Sequence, residues 1–224
     1  MPRFVIFDLF HTLVHGADDE RDRVVAEMAA IVGVEPAALV RAYHATWRQR
    51  LVGWDAEQTV RILAERLGSS PSRARLARAA ALRVDLARRL LSSAPPATLD
   101  LLDSLRAAGY RLGLVSNATA ESAQAWADCP LATRFDAAVF SCELGVAKPD
   151  PRIYLAAVEA LGAGPGDCVY VGDGADGELT AAAALGMTVF RTTEHNDTDP
   201  SWPGAVVATL ADLPRLLPTR QCGW

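Results

Sequence analysis

Residues 4–8 read Phe-Val-Ile-Phe-Asp, a short apolar run that ends abruptly at an acidic residue. The run is rich in β-prone side chains and has no polar alternation, which is typical of a strand covered on both faces in a parallel sheet. Similar runs recur along the chain and predict further strands of the same sheet. They lie at residues 112–115, 137–140, 169–171 and 188–190.

Helical patterns separate these runs. Residues 99–108 and 153–161 show helical spacing of apolar positions, and Gly162 follows the second pattern as a C-cap. Strands that alternate with helices indicate βαβ units with right-handed crossovers. The sequence therefore predicts an α/β fold with a doubly wound, mostly parallel sheet, that is, a Rossmann-like core.

Residues 16–92 break the alternation because they are rich in Ala, Arg, Leu and Glu and contain no strand-like run. Pro95-Pro96 then marks the return to the core pattern. We expect a core made of residues 1–15 and 93–224, interrupted by a helical insert at 16–92, and an exposed loop at 192–204. The predicted helices of the insert are residues 21–32, 37–51, 55–67 and 72–91.

The composition and net charge of the chain indicate which kinds of molecule it binds. Of the 224 residues, 50% are hydrophobic, and the formal net charge is -5. This charge gives no attraction for nucleic acid or for an anionic membrane, so a small-molecule substrate is expected. No apolar stretch approaches the roughly 20 residues of a membrane span, and the N-terminus does not resemble a secretory signal. Reduced thiols and a cytoplasmic location are expected, because no CxxC pair occurs among Cys129, Cys142, Cys168 and Cys222.

Polar residues follow the predicted strands at the edge where ligands bind in open α/β sheets. Asp8, Ser116 and Asp173 each come at or just beyond the end of an apolar run, and Lys148 lies in a later loop. A carboxylate, a hydroxyl, a cation and a second carboxylate on one rim are the ingredients of a hydrolytic site.

Four motifs in order carry a resemblance to a known family. Residues 7–13 read Phe-Asp-Leu-Phe-His-Thr-Leu, and Ser116-Asn117 follows a predicted strand. Residues 145–151 read Gly-Val-Ala-Lys-Pro-Asp-Pro, and Gly172-Asp173 precedes Glu178. Together these motifs resemble those of the haloacid dehalogenase superfamily, and the insert lies where many members carry a helical cap.

The resemblance implies roles for these residues. Asp8 is expected to act as a covalent nucleophile that forms an aspartyl ester, with Thr12 as the second catalytic residue of its motif. Ser116 and the amide of Asn117 would donate hydrogen bonds to the transferring group, and Lys148 would offset its charge.

A magnesium site is also expected. Asp8, Asp173 and Glu178 form the hard, oxygen-rich set that suits Mg²⁺. The resemblance adds the backbone carbonyl of Phe10 as a further ligand. Glycines around Asp173 would let the backbone approach a ligand closely.

Position 10 departs from the family pattern. Phosphatases of this superfamily carry a second Asp two residues after the nucleophile as general acid and base, whereas this chain has Phe10. The favoured interpretation is a Mg²⁺-dependent phosphatase of small phosphorylated metabolites. Its leaving group would be acidic, or a proton would come from His11, although alternation along an extended chain would turn that ring away from the substrate.

Two alternatives remain open. The 2-haloacid dehalogenases carry an aromatic residue at this position and need no metal, and Trp47-Arg48-Gln49 resembles their halide-binding context, which makes Arg48 a candidate substrate contact. The presence of Asp173 favours the metal-dependent enzyme instead. In the second alternative the protein is a non-catalytic module that has kept the fold.

Overall fold

The core of the protein is a six-stranded sheet in which every neighbouring pair of strands is parallel. The computed structural model describes residues 4–217. All five predicted strands are present, so the predicted α/β fold is confirmed. The strands are β1 (Phe4–Phe7), β2 (Arg111–Ser116), β3 (Ala137–Phe140), β4 (Cys168–Gly172), β5 (Thr188–Thr192) and β6 (Ala205–Val207).

The strand order β3-β2-β1-β4-β5-β6 places β1 near the centre of the sheet. Phe4 pairs with Arg111 of β2 on one side and with Cys168 of β4 on the other. The chain winds outward from β1 through β2 and β3, then returns to β4 and winds the other way. The winding direction therefore reverses between β1 and β4, which is the point where open α/β sheets bind ligands.

Helices cover both faces of the sheet. Val5 and Phe7 belong to one buried apolar cluster and Ile6 to the other, because successive side chains of a strand face opposite sides. Gly162 ends helix α9 (Pro151–Leu161) with a φ of 66°, which confirms the predicted C-cap. The core helices are α6 (Pro96–Ala107), α7 (Ala120–Trp126), α8 (Ser141–Leu144), α9 (Pro151–Leu161), α10 (Glu178–Ala184) and α11 (Leu213–Leu216).

The helices that follow β1 pack around an apolar cluster of their own, which contains Met28, Leu39 and Leu63. One predicted helix, residues 37–51, is wrong as a single element because the chain turns at Thr46. The Thr46 hydroxyl donates to the carbonyls of Ala42 and Tyr43, at 2.9 and 3.1 Å. The inserted helices are α1 (Asp18–Val32), α2 (Pro36–Ala45), α3 (Trp47–Val52), α4 (Ala56–Arg66) and α5 (Arg73–Ser92).

The segment predicted as an exposed loop, 192–204, is a loop from residue 193 onward, and most of its residues are exposed. Its first residue differs from the prediction. Thr192 is the buried last residue of β5. Arg191 ties the following residues to the core through an ion pair with Asp197 and a hydrogen bond to the carbonyl of Asp199. The segment leads into β6, an edge strand of three residues that the sequence analysis missed.

No helix within residues 4–217 is long and apolar enough to cross a membrane. Cys129, Cys142 and Cys168 are free thiols, and Cys222 lies outside the described residues.

Candidate active site

Asp8 lies immediately after β1, at the carboxyl ends of the strands and at the point where the winding direction reverses. Its amide donates to the carbonyl of Val171 at 2.9 Å, which fixes it against the neighbouring strand β4. A tight turn, closed by hydrogen bonds from Leu13 and Val14 to the carbonyl of Leu9, brings the chain back towards Asp8. The Thr12 hydroxyl thereby donates to Oδ2 of Asp8 at 3.1 Å, and the aspartate is 5% exposed.

Lys148 connects two of the acidic residues. Its ammonium donates to Oδ1 of Asp8 and to Oε2 of Glu178, both at 2.5 Å, and the side chain is buried. Burial alone lowers the pKa of Lys148, but attraction by the two carboxylates outweighs it and raises the pKa above its usual value. Burial raises the pKa of Asp8, and Lys148 opposes that shift. Lys148 is therefore a fixed cation beside the candidate nucleophile.

Glu178 begins α10 and is completely buried. Besides Lys148, it accepts hydrogen bonds from the hydroxyl of Tyr170 at 2.6 Å and from the amide of Gly174 at 3.0 Å. Burial raises its pKa to about 7, against the opposing effect of Lys148. The carboxylate lies so close to Gly172 that a Cβ there would be 2.1 Å from Oε1. Glu178 therefore anchors Lys148 and depends on a glycine at the end of β4.

Asp173 completes a cluster of three buried carboxylates. One oxygen each from Asp8, Asp173 and Glu178 lies within 4.8 Å of the others. The Asp173 carboxylate accepts hydrogen bonds from the hydroxyl of Thr198 at 2.5 Å and from the amide of Ala175 at 3.2 Å. Three carboxylates against one ammonium leave an excess of negative charge, and oxygen donors in such a set suit a hard divalent cation. The residues present therefore fit Mg²⁺.

Ser116 is the last residue of β2, and Asn117 follows it, on the side of β1 opposite to β4. Ser116 is fully buried, and its hydroxyl makes no hydrogen bond within residues 4–217. The side chain of Asn117 holds the backbone of Lys148 through two hydrogen bonds. It accepts one from the amide of Lys148 at 2.7 Å and donates one to the carbonyl of Lys148 at 3.2 Å. It also donates to Asp176 at 2.8 Å. This positioning role was not predicted from the sequence, and a substrate contact by the Asn117 backbone amide stays a prediction.

A cavity of about 310 Å³ opens above these residues, between the sheet edge and the inserted helices. Asp8, Asn117 and Lys148 lie on the core side of its lining, and Trp47 and Arg83 lie on the side of the insert. Of the predicted site residues, Asp8, Phe10, His11, Asn117 and Lys148 line this cavity. The buried residues Thr12, Ser116, Asp173 and Glu178 are not part of its lining.

Phe10 and His11 line this cavity beside Asp8. The expectation that strand alternation turns His11 away does not apply, because its backbone is left-handed with a φ of 60°. Its ring lies over Gly16, where a Cβ would come within 2.1 Å of the imidazole.

Arg48 is exposed and is not part of the cavity lining, so its contact with substrate stays a prediction. Helix α3 turns Arg50 inward instead, where the guanidinium stacks 3.5 Å from the ring centre of Tyr43. The phase of a six-residue helix decides which of two nearby arginines is buried, and the sequence pattern did not reveal it.

Comparison with known proteins places the chain in the same family that its four sequence motifs resemble. The family model for haloacid dehalogenase-like hydrolases matches residues 2–186. The chain is 32% identical over 127 residues to glyceraldehyde 3-phosphate phosphatase of Methanopyrus kandleri, covering 54% of each chain. It is 34% identical over 103 residues to (S)-2-haloacid dehalogenase 4A of Burkholderia cepacia, covering 44% of this chain and 43% of that protein. The matches thus span about half the length of these two relatives.

A solved structure extends the likeness to the whole fold. The HAD phosphatase of Thermococcus onnurineus superposes with a TM-score of 0.70 at 21% identity, covering 96% of this chain and 97% of the other. Because the family model covers most of the sequence, the family assignment does not depend on this superposition. The protein belongs to the haloacid dehalogenase-like hydrolases.

Proposed function

We propose that the protein is a Mg²⁺-dependent phosphatase that hydrolyses small phosphorylated metabolites through a covalent intermediate on Asp8. The observation that carries the proposal is the cluster of Asp8, Asp173 and Glu178, whose carboxylates contact a single ammonium within residues 4–217, that of Lys148. A metal-independent dehalogenase has no need for this excess of buried negative charge, which is costly without a cation.

The residues support a two-step displacement. A carboxylate oxygen of Asp8 attacks phosphorus, the bond to the leaving oxygen breaks, and water then hydrolyses the aspartyl phosphate to regenerate Asp8. Thr12 orients the nucleophile through its 3.1 Å hydrogen bond. The unpartnered hydroxyl of Ser116 and the backbone amide of Asn117 donate to phosphoryl oxygens. Lys148 offsets the charge that the phosphoryl group brings.

Asp8, Asp173, Glu178 and the backbone carbonyl of Phe10 are the proposed ligands of Mg²⁺, and Glu178 also holds Lys148. When bound, Mg²⁺ would polarise the phosphoryl group and neutralise carboxylate charge. The leaving oxygen departs either unaided, when it is acidic, or with a proton from His11, which lines the same cavity.

We further propose that residues 16–92 act as a cap over the cavity and that residues 1–15 and 93–224 form the catalytic core. Trp47 and Arg83 of the insert line the cavity opposite Asp8, which supports a role for these helices in excluding water and selecting the substrate. A cytoplasmic location fits the free thiols of Cys129, Cys142 and Cys168.

A second candidate function is 2-haloacid dehalogenation. Phe10 favours it, because this residue lines the cavity beside Asp8 and cannot transfer a proton, whereas a departing halide needs none. The retained Asp173 argues for the phosphatase.

One experiment separates these functions. Hydrolysis of p-nitrophenyl phosphate and of 2-chloropropionate is measured with and without Mg²⁺, for the wild type and for Asp8→Asn. We expect Mg²⁺-dependent phosphate release that falls by about 10³-fold or more in Asp8→Asn. Metal-independent chloride release would instead assign the protein to the dehalogenases, and inactivity on both substrates would favour a non-catalytic module.

A further inference from the structure

Arg83 lies on the face of α5 that is directed at the cavity. Together with Ala87 and Leu90 it lines the space above Asp8, and the spacing 83, 87, 90 places the three side chains on one side of the helix. The arginine is 7% exposed. A long cationic side chain this deeply enclosed is uncommon unless it has a charged or hydrogen-bonding partner.

The contacts of Arg83 hold its stem and leave most of its donors unused. Nε donates to the hydroxyl of Tyr43 at 3.0 Å and lies 3.9 Å from Oε1 of Glu121. Tyr43 is itself fixed by the guanidinium of Arg50, which stacks on its ring. Within residues 4–217 the Nε contact is the one hydrogen bond that Arg83 donates, although a guanidinium carries five N–H groups.

The other cationic side chains that line the cavity, Arg21 and Lys148, form ion pairs with carboxylates of the protein. Arg21 lines the cavity but pairs with Asp18 at 2.7 Å and with Asp22 at 3.4 Å. Lys148 is bound to two carboxylates of the catalytic cluster. Among the described cations that line the cavity, Arg83 is thus the one whose terminal nitrogens make neither a hydrogen bond nor an ion pair. It approaches from the insert, whereas the nucleophile approaches from the sheet.

The cavity limits the size of that ligand. Its volume of about 310 Å³ is at the small end of the range for ligand pockets. Trp47, Ala87 and Leu90 supply an apolar wall beside Arg83. This shape suits a short carbon skeleton with one charged group at each end.

We propose that Arg83 binds a carboxylate at the end of the substrate remote from the phosphate, so that the preferred substrates are small phosphomonoesters of hydroxycarboxylic acids. The inference rests on the proposed phosphatase function and names its substrate class. A planar guanidinium held at Nε presents its terminal N–H pair in the geometry that matches a carboxylate.

The test uses two phosphomonoesters that differ only at the remote end. D-3-Phosphoglycerate carries a carboxylate where sn-glycerol 1-phosphate, which has the same configuration at the central carbon, carries a hydroxymethyl group. With Mg²⁺ present, we expect the wild type to favour 3-phosphoglycerate in kcat/KM by about 10- to 100-fold, the range of a charge-assisted hydrogen bond. In Arg83→Met the ratio of the two kcat/KM values should fall close to one.

Control variants separate recognition from folding. Arg88→Met removes an exposed arginine of the same helix, whose partner is Asp85, and should keep the wild-type ratio. Because Arg83→Met leaves the buried Glu121 without its ion-pair partner, the double variant Arg83→Met/Glu121→Gln is measured as well. Arg83→Lys keeps the positive charge but loses the planar pair of terminal N–H groups. Its ratio of the two kcat/KM values should fall between those of the wild type and Arg83→Met.

Binding supplies a readout that does not require turnover. The dissociation constants of both esters are measured by calorimetry for Asp8→Asn and for Asp8→Asn/Arg83→Met. A preference for 3-phosphoglycerate that disappears when Arg83 is replaced supports the inference, whether or not either ester is hydrolysed. If neither ester is hydrolysed, the proposed phosphatase function is overturned but the inference about Arg83 is not. Equal preferences with and without Arg83, or no preference in the wild type, would overturn the inference and leave the phosphatase function standing.

Discussion

Ser116 and Ser141 are both fully buried serines, but their hydroxyls have different surroundings. The hydroxyl of Ser141 accepts from the amide of Ala118 at 3.0 Å and donates to its carbonyl at 3.2 Å. The hydroxyl of Ser116 makes no hydrogen bond within the described residues. A buried hydroxyl without a partner costs stability, so its retention points to a contact made only when substrate is bound.

This pair gives a prediction at the scale of the residue. Ser116→Ala should leave the free energy of unfolding unchanged or raise it by up to about 1 kcal/mol, because it removes an unsatisfied polar group. The same change should lower kcat by about 10²-fold, the effect of losing one donor to the transferring group. Urea unfolding and steady-state kinetics with p-nitrophenyl phosphate measure the two effects.

Ser141→Ala is the matched control and should lower the free energy of unfolding by about 1–2 kcal/mol, because it breaks two hydrogen bonds. If Ser116→Ala instead lost as much stability as Ser141→Ala and kept full turnover, Ser116 would be a structural residue.

The sequence predicted the residues whose role depends on chemical type and on position at a strand end. Asp8, Ser116 and Asp173 all lie where an apolar run stops, and the structure brings them to one edge. It did not predict which side chains hold Lys148, because the Asn117 contact joins residues 31 positions apart and depends on the folded loop. Arg83 was missed because one arginine in an arginine-rich helix differs from the others only in the direction it faces.

At the scale of the element, the end of β4 and the start of α10 are fitted to each other through Gly172. A Cβ at this position would lie 2.1 Å from Oε1 and 2.7 Å from the carboxylate carbon of Glu178. Gly172→Ala should therefore displace Glu178 and its bond to Lys148, and lower the free energy of unfolding by about 2–4 kcal/mol. Urea unfolding measures the loss, and the same variant should also bind Mg²⁺ more weakly in a calorimetric titration.

Gly166→Ala is the control for this change. No atom lies within 4 Å of a Cβ at Gly166, so the substitution should be neutral or slightly stabilising. Equal stability of Gly172→Ala and Gly166→Ala would show that Glu178 can move aside without consequence.

The elements also show where sequence patterns succeed and fail. Strands with mostly buried residues, such as β1 and β4, produced clear apolar runs. The partly buried strand β3 was predicted with its observed bounds, Ala137–Phe140. The edge strand β6 was missed because two of its three residues are exposed and its apolar run is short. The break between α2 and α3 was missed because Thr46 ends a helix through its hydroxyl without a proline or glycine to mark it.

At the scale of the whole molecule, the carboxylate cluster predicts a coupling between metal and stability. Mg²⁺ at about 100 times its dissociation constant should raise the free energy of unfolding by about 2.7 kcal/mol, since the cluster exists only in the folded chain. Asp173→Asn should abolish most of this gain. Urea unfolding with Mg²⁺ and with EDTA provides the measurement.

Asp167→Asn, which removes an exposed carboxylate just before β4, should retain the full stabilisation by Mg²⁺. A gain of the same size in Asp173→Asn and in the wild type would place the cation elsewhere on the protein.

The position of β1 at the centre of the sheet has a consequence for the order of events during biosynthesis. One side of β1 can pair only after Arg111 of β2 has been synthesised, and the other side only after Cys168 of β4. The helices of residues 18–92 share an apolar cluster of their own, which can form on the ribosome while β1 is still an unpaired apolar segment. Asp8 meets Lys148 and Glu178 only after about four fifths of the chain has been synthesised. A nascent chain stalled before that point would carry a folded helical insert and an exposed aggregation-prone strand, but no hydrolytic chemistry.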